Sequence, residues 1–462
     1  MSICGAVIVP HPPILLPEIG RGQERKIEAT AAAYRTAARA VADWQPETLV
    51  ITSPHATLYA DYFHISPGKG ASGSMAAFGA PGVRFSVKYD AAMRETLIHL
   101  AQKKGLQTGT LGERDPHLDH GTMIPLYFLR EAGVKCPIVR IGLSGFSPLE
   151  HYQLGQCIAG AAESLHRRVA VIASGDLSHK LKDDGPYGFA AEGPVFDKQV
   201  TEAMASGDFL RMLTFDPSFC NRAAECGLRS FQIMAGTLDG QAVQSRLYSY
   251  EGTFGVGYAV AVFVPTGPDE SRCFAEQYRA VEQQRLARQK SAEDPWVRLA
   301  RLSLETYVRT GKRLASLPAA LPQEMTNQRA GVFVSLHLCG QLRGCIGTVG
   351  PTTSSIAEEI ARNAVSAGTQ DPRFPAVRPE ELDRIEYSVD VLGPAEPISS
   401  PSELDVKRYG VIVSCNGRCG LLLPNLDGID TVEEQIDIAR KKGGISPREP
   451  YTLERFEVVR HT

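Results

Sequence analysis

No apolar run in this sequence reaches the 18 or so residues that a membrane-spanning helix needs. The longest, around residues 255–265, falls far short, so no membrane partner is expected. Charge of one sign is not in excess either. Lys and Arg number 49 against 52 Asp and Glu, a net charge of −3, and a general electrostatic affinity for nucleic acid is not expected. Cysteine is sparse: ten in 462 residues do not make a disulfide framework. The N-terminal segment MSICGAVIVPHPP has no basic stretch ahead of its apolar residues. It reads as a buried strand and not as a secretory leader, which points to reduced thiols in a cytoplasm. Internal repeats and low-complexity tracts are missing as well.

What is there is ordinary globular material. Hydrophobic residues make up 43% and charged residues 22%, enough for normal cores. At about 150 residues per domain the length suggests two or three of them. Strand–loop–helix alternation fills residues 1–265. Apolar runs at 3–9, 48–52, 137–143, 168–174 and 255–264 read as buried strands. Residues 23–44 and 90–104 read as helices, the second with Asp90 as N-cap and Gly105 as stop. This predicts an α/β domain with a central sheet flanked by helices. Residues 266–291 are polar and charged and read as a connector, partly helical. Residues 292–462 show a helix at 297–311 and a hairpin around Cys339-Gly340-Gln341. A strand alternates through Ile385, Tyr387, Val389 and Val391, and Asn416-Gly417 marks a second hairpin. Thr431 and Glu434 make a capping box. Strands and helices come in unequal clusters here, so this half is expected to be α+β, and each half is expected to fold by itself.

Three histidines stand where apolar strands run out: His11 after GAVIVP, His55 after LVITSP and His179 after VAVIASGDLS. Ligands of α/β sheets bind at the carboxyl ends of strands, and imidazole both ligates metals and titrates near neutrality. A fourth polar cluster, Asp115-Pro116-His117-Leu118-Asp119-His120-Gly121, precedes the apolar run IPLYFL.

The strand ending in PHPP, the strand ending in SPH, LDHGTMIPL and SGDLSH occur in an order and spacing that resembles the LigB-type (class III) extradiol dioxygenases and their Memo branch. The resemblance covers residues 1 to about 265. It implies a 2-His-1-carboxylate Fe(II) site open to a diol substrate and O2, with Zn or Cu as alternative metals. Carried over, His11 and His55 are metal ligands, His179 is the acid/base, and His120 lines the site. The third ligand is Glu225, as in the dioxygenases, or Cys226, as in Memo-like proteins. Glu251 is a weaker candidate.

Residues 292–462 resemble the AMMECR family through Leu342-Arg343-Gly344-Cys345-Ile346-Gly347, supported by QDPRFPAV, which contains Arg373, by IEYSVDVLGP and by GLLLP. That family implies no settled chemistry. Arg343 could hold a carboxylate or phosphate, and Cys345 is a nucleophile if a nearby cation lowers its pKa. A packed hairpin strand, with Gly344 for close approach and cysteine as filler, explains the same residues. Cys415 and Cys419 flank the Asn-Gly turn and are expected to face each other, yet no second pair completes a zinc site.

Together the halves resemble the AmmeMemoRadiSam arrangement, in which such domains accompany a radical-SAM protein. The chain lacks a CxxxCxxC run, so that protein is expected as a partner. The resemblance implies a cytoplasmic non-haem iron oxidoreductase acting on a small aromatic or diol-type molecule. A metal-binding scaffold without turnover and a metal-dependent hydrolase are the alternatives.

Overall fold

The computed structural model describes residues 2–112, 117–338, 340–426 and 428–462. The chain divides into two compact units, residues 1–283 and 284–462.

In the first unit the apolar runs become strands buried on both faces. Successive residues of Ile3–Val9 supply two different cores: Ala6 and Ile8 enter one, Val7 and Val9 the other. That is what a continuous apolar run does in a sheet covered by helices on both sides. The six-stranded sheet runs in the order Ile138–Gly142, Thr48–Ser53, Val169–Ser174, Ile3–Val9, Tyr258–Pro268, Gln241–Glu251. The first four strands are parallel, and the last two join antiparallel. Four parallel neighbours thus end on one edge of the sheet.

Helices Ala91–Lys103, Pro148–Ser164, Glu192–Ser206 and Leu228–Thr237 contribute to one core, Glu28–Asp43 and His120–Glu131 to the other. The Asp90 carboxylate accepts from Met93 N as its N-cap position predicts. The helix expected at 23–44 opens with a 3-10 segment, Gln23–Ile27, and is α-helical only from Glu28. Pro148–Ser164 and Leu228–Thr237 cross backbone to backbone. A Cβ on Gly236 would lie 1.9 Å from Tyr152 O, and one on Gly155 would lie 2.1 Å from Ile233 O.

Residues 266–291, expected as a connector, hold the end of the strand Tyr258–Pro268 and most of the helix Phe274–Ala292. Phe274 and Tyr278 belong to the core of the first unit, and the division between units falls inside this helix.

The second unit is built on two four-stranded sheets. One has the order Gln341–Gly347, Val332–Leu338, Ile385–Leu392, Val458–His461, and helices Pro295–Thr310 and Ile356–Thr369 share its core. The other has the order Glu396–Ile398, Thr452–Phe456, Gly410–Cys415, Arg418–Leu422, with Val432–Lys442 packed on it. The Thr431–Glu434 capping box is formed, and Asn416 and Gly417 both take positive φ, as a two-residue primed turn requires. The buried carboxylate of Glu359 ties the loop after Gln341–Gly347 to helix Ile356–Thr369. It accepts from Thr348 Oγ1 (2.9 Å), from the N–H and hydroxyl of Thr352 (2.9 and 2.7 Å) and of Thr353 (2.9 and 2.8 Å), and from Arg362 (2.8 Å). No described helix of either unit is long and apolar enough to cross a membrane.

Candidate metal centre

Strands Thr48–Ser53, Val169–Ser174 and Ile3–Val9 lie side by side and parallel, so the residues that follow them share one sheet edge. His11 and His55 converge there: their Nε2 atoms are 3.0 Å apart. His120 joins them from the first position of helix His120–Glu131, with ring centroids 4.0 Å from His55 and 5.5 Å from His11. One ligand atom from each of the three falls within 4.8 Å of the others. His120, expected to line the site, stands in the cluster as a third imidazole nitrogen that could hold a metal ion.

Local chemistry fixes each ring. The Asp119 side chain caps the His120 helix through Thr122 N (2.9 Å) and accepts from Ser53 Oγ (2.5 Å) at the end of the His55 strand. Gly121 makes that junction fit, because a Cβ there would lie 2.4 Å from Ser53 Oγ and 3.4 Å from the His55 ring. His11 is 2% exposed, and its Nδ1 lies 3.0 Å from Ser174 Oγ. The Ser174 hydroxyl has one hydrogen and places it on Gly121 O at 2.6 Å. Toward His11 it therefore accepts, so His11 carries its proton on Nδ1 and presents a bare lone pair at Nε2.

Burial, reinforced by the neighbouring His55, pushes the His11 pKa down to about 3. Burial together with His55 and His11 does the same for His120, also to about 3. Burial lowers His55 too, against the pull of Asp119 and Asp176. At neutral pH the cluster is a set of uncharged nitrogen donors. Two imidazole nitrogens at 3.0 Å fit a shared cation, since each would bond at about 2.1 Å.

Asp176, which sequence reasoning passed over inside SGDLSH, also reaches the cluster. Its Oδ2 is 3.7 Å from His11 Nε2 and its Oδ1 accepts from His11 N at 2.8 Å. Burial raises its carboxyl to about 6, although His11 N–H opposes the shift. The signal available for it was position, two residues beyond the same strand that leads to His179.

Glu225 and Cys226 lie in the turn between helices Pro217–Ala223 and Leu228–Thr237, not on a helix. They point different ways. Glu225 accepts from Leu228 N at 2.7 Å and starts the next helix, and it is not one of the clustered residues. Cys226 Sγ is 3.8 Å from His11 Nε2 and donates to Asp176 O. Burial raises the Cys226 thiol well above its ordinary value, with the Asp176 and Glu225 carboxylates adding to it. Glu251 is elsewhere, accepting from the N–H and hydroxyl of Thr30.

His179 is half-buried and follows Ser178, whose N–H donates to the buried Asp197 at 2.8 Å. Its Nδ1 is buried without a hydrogen-bond partner among the described residues, and Tyr187 stands edge-on to the ring at 5.1 Å. His55 is exposed, so the cluster opens to solvent on that side. Asp115 and Pro116 of the polar cluster lie outside the described residues.

In the second unit Arg343 is already spent on an internal carboxylate. It donates to both oxygens of Glu381 (2.8 and 3.1 Å) and to the carbonyls of Pro375 and Ala376. The close approach served by Gly344 is to helix Ile356–Thr369, because a Cβ would lie 2.2 Å from Ala367 O. Arg373 grips Asp371 through Nε (3.0 Å) and Nη2 (2.7 Å) and donates to Cys345 O. Cys415 and Cys419 do not face each other. Cys415 pairs with Arg418 and Ser414 with Cys419, so the thiols fall on opposite faces.

Comparison with known proteins agrees with this division. The family profile described as the catalytic LigB subunit of aromatic ring-opening dioxygenase matches residues 5–261. The AMMECR1 profile matches residues 297–461. A Clostridium acetobutylicum protein is 40% identical, covering 100% of this chain and 99% of its own. A Thermotoga maritima protein is 50% identical over 37% of this chain and 98% of its own. Among solved structures, an uncharacterized Pyrococcus horikoshii protein is 34% identical (TM-score 0.33, 36% of this chain and 88% of that one). An uncharacterized Escherichia coli protein is 14% identical (TM-score 0.40, 56% and 99%). The chain belongs to the LigB family of aromatic ring-opening dioxygenase catalytic subunits, with an AMMECR1 domain following on the same polypeptide.

Proposed function

We propose that the first unit is a non-haem metal centre of the oxidoreductase type, resembling class III extradiol ring-cleaving dioxygenases, with a small aromatic or diol-type molecule as substrate. The observation that carries this reading is the pair of imidazole nitrogens 3.0 Å apart, one of them a lone pair set by Ser174, with His120 beside them. His11, His55 and His120 would hold the ion, which we take to be Fe(II), with Zn or Cu as alternatives. A bound Fe(II) would supply Lewis acidity and the electrons for O2 chemistry. The chain's own groups do the rest. Ser174 holds His11 in one tautomer, and His179, its Nδ1 lacking a partner, takes a proton from a substrate hydroxyl.

Metal analysis of anaerobically purified protein tests the reading, paired with single alanine variants at His11, His55, His120, Glu225 and Cys226. One Fe per chain, lost in each histidine variant and kept in Glu225→Ala, supports it. Full metal content in all three histidine variants refutes it.

One observation favours a second reading, a metal-binding scaffold without turnover. The thiol of Cys226, and not the carboxylate of Glu225, is turned to His11, and a soft donor suits Zn or Cu(I). Oxygen uptake with catechol-type substrates by the iron-loaded protein separates the two. We also propose, from the AmmeMemoRadiSam resemblance, that the protein works in the cytoplasm beside a radical-SAM partner. Co-purification of the two tests that.

A further inference from the structure

The segment that follows Val169–Ser174 carries a group of the site at each end. At one end the Asp176 side chain accepts from His11 N, and its carbonyl accepts from the Cys226 thiol. At the other end stands His179. Between them Ser178 is fully buried. Its carbonyl accepts from Gly257 N at 2.8 Å, its hydroxyl donates to Ala223 O at 2.7 Å, and its N–H donates to Asp197 Oδ1 at 2.8 Å. His179 N reaches the same Ala223 O at 3.3 Å. Of these partners Asp197 alone contributes a side chain.

Asp197 lies in the helix Glu192–Ser206 and is 0% exposed. Its second oxygen accepts from the Tyr250 hydroxyl of the strand Gln241–Glu251 at 2.7 Å. Gly257 makes room for it, because a Cβ there would lie 2.0 Å from Asp197 Oδ2. Burial raises the carboxyl to about 7, with the Tyr250 hydroxyl and the Ser178 N–H opposing the rise. Burying a carboxyl without a cation costs stability. What this one supplies is a rigid acceptor, gripped on both oxygens, for the N–H next to His179. Its hydrogen bonds reach Ser178 and Tyr250 and no residue of the histidine cluster.

We propose that Asp197 is the positioning residue of His179: by fixing Ser178 it sets where the imidazole stands relative to His11 and Asp176. This rests on the reading of His179 as the proton acceptor of the site. The ring has little hold of its own, since its Nδ1 lacks a partner among the described residues and Tyr187 meets it only edge-on. A displacement of about 1 Å in such a group costs about 100-fold in rate.

The test is carbon–proton NMR of the intact chain labelled at histidine Cε1, which needs neither metal nor substrate. The His179 peak is assigned by its loss in His179→Gln. Asp197→Ala and the bulkier Asp197→Leu should move the His179 peak by more than its linewidth and leave the peaks of His11, His55 and His120 in place. Asp197→Asn should return it to the wild-type position, because an amide oxygen still accepts from Ser178 N and an amide NH2 donates to the Tyr250 oxygen. A residue that only adds stability would lower the unfolding temperature and leave the His179 peak of the folded protein unmoved, and that result overturns the proposal. So does a peak that Asp197→Asn leaves displaced, a common shift of all four histidines, or loss of folding in both Asp197→Ala and Asp197→Leu, each of which makes Asp197 a support of the whole domain. The reading beneath fails by a different measurement: iron-loaded His179→Ala that turns over catechol as fast as the wild type would strip the ring of its role without moving any of these peaks.

Discussion

The Ser174 hydroxyl donates to Gly121 O and accepts from His11 Nδ1, so one small side chain decides which nitrogen of a buried histidine faces the cluster. Such supporting contacts usually cost 10–100-fold in metal affinity when removed. Ser174→Ala is expected to weaken metal binding by about that factor while the fold is kept, as read by chelator competition and near-ultraviolet circular dichroism. An unchanged affinity would mean that His11 is held by other contacts.

Glu225 and Cys226 are neighbours with opposite duties. Glu225→Ala should keep metal stoichiometry and lose about 1 kcal/mol of stability, the usual size of a lost hydrogen bond, here the one from Leu228 N. Cys226→Ser should lower affinity for Cu(I) and Zn more than for Fe(II), because thiolate is the soft donor of the set. Titration of each metal into the purified variants checks both, and equal losses for all three metals would place Cys226 outside the coordination.

His179→Ala is expected to leave metal content intact and to abolish turnover, since the residue is not among the three clustered imidazoles. Metal analysis beside an activity assay reads both quantities. A fall in metal content would move His179 into the coordination sphere.

The second unit should carry an acid-sensitive lock at Glu359. Burial alone would raise this carboxyl, but the hydrogen bonds from Thr352, Thr353 and Thr348 outweigh it and hold its pKa at about 2, against an ordinary 4.5. A depressed carboxyl stabilises the fold above its unfolded value, and that stability is lost as pH falls from about 4.5 toward 2. The contribution is up to about 3 kcal/mol. Urea unfolding from pH 7 to 3 should show a steeper acid loss for the wild type than for Glu359→Gln. Parallel curves would remove Glu359 from the account.

Much of this was legible because parallel strands put their carboxyl ends on one edge. His11, His55 and His179 could be grouped because each follows an apolar strand, although His179 is not among the clustered imidazoles, and Asp90, Thr431 and Asn416-Gly417 announced their elements through local hydrogen-bonding and turn chemistry. Other features had no such signal. Asp176 lies in an irregular segment after Val169–Ser174, and the different directions of Glu225 and Cys226 depend on their lying between helices. Polar composition left the helix Phe274–Ala292 legible only as part of a partly helical connector, because few of its side chains, among them Phe274, Tyr278 and Leu286, are buried. They recur at multiples of four in a charged background. Gly155 and Gly236 looked unremarkable until two helices were seen to cross through them.

The strand that leads to His11 finds its neighbours late. Ala6 pairs with Phe263, 257 residues later, on one side, and Ile3–Val9 pairs with Val169–Ser174 on the other. Pairings this remote form slowly, because so much chain must be brought together before any contact rewards it. During synthesis this strand therefore waits as an unpaired apolar edge, the kind of surface that chaperones cover. The histidine cluster closes only after residue 174 has been made, and its strand is fully enclosed only after residue 264. An ion held by this cluster, as proposed above, would load only after that strand is made, a step of late maturation and not of early folding.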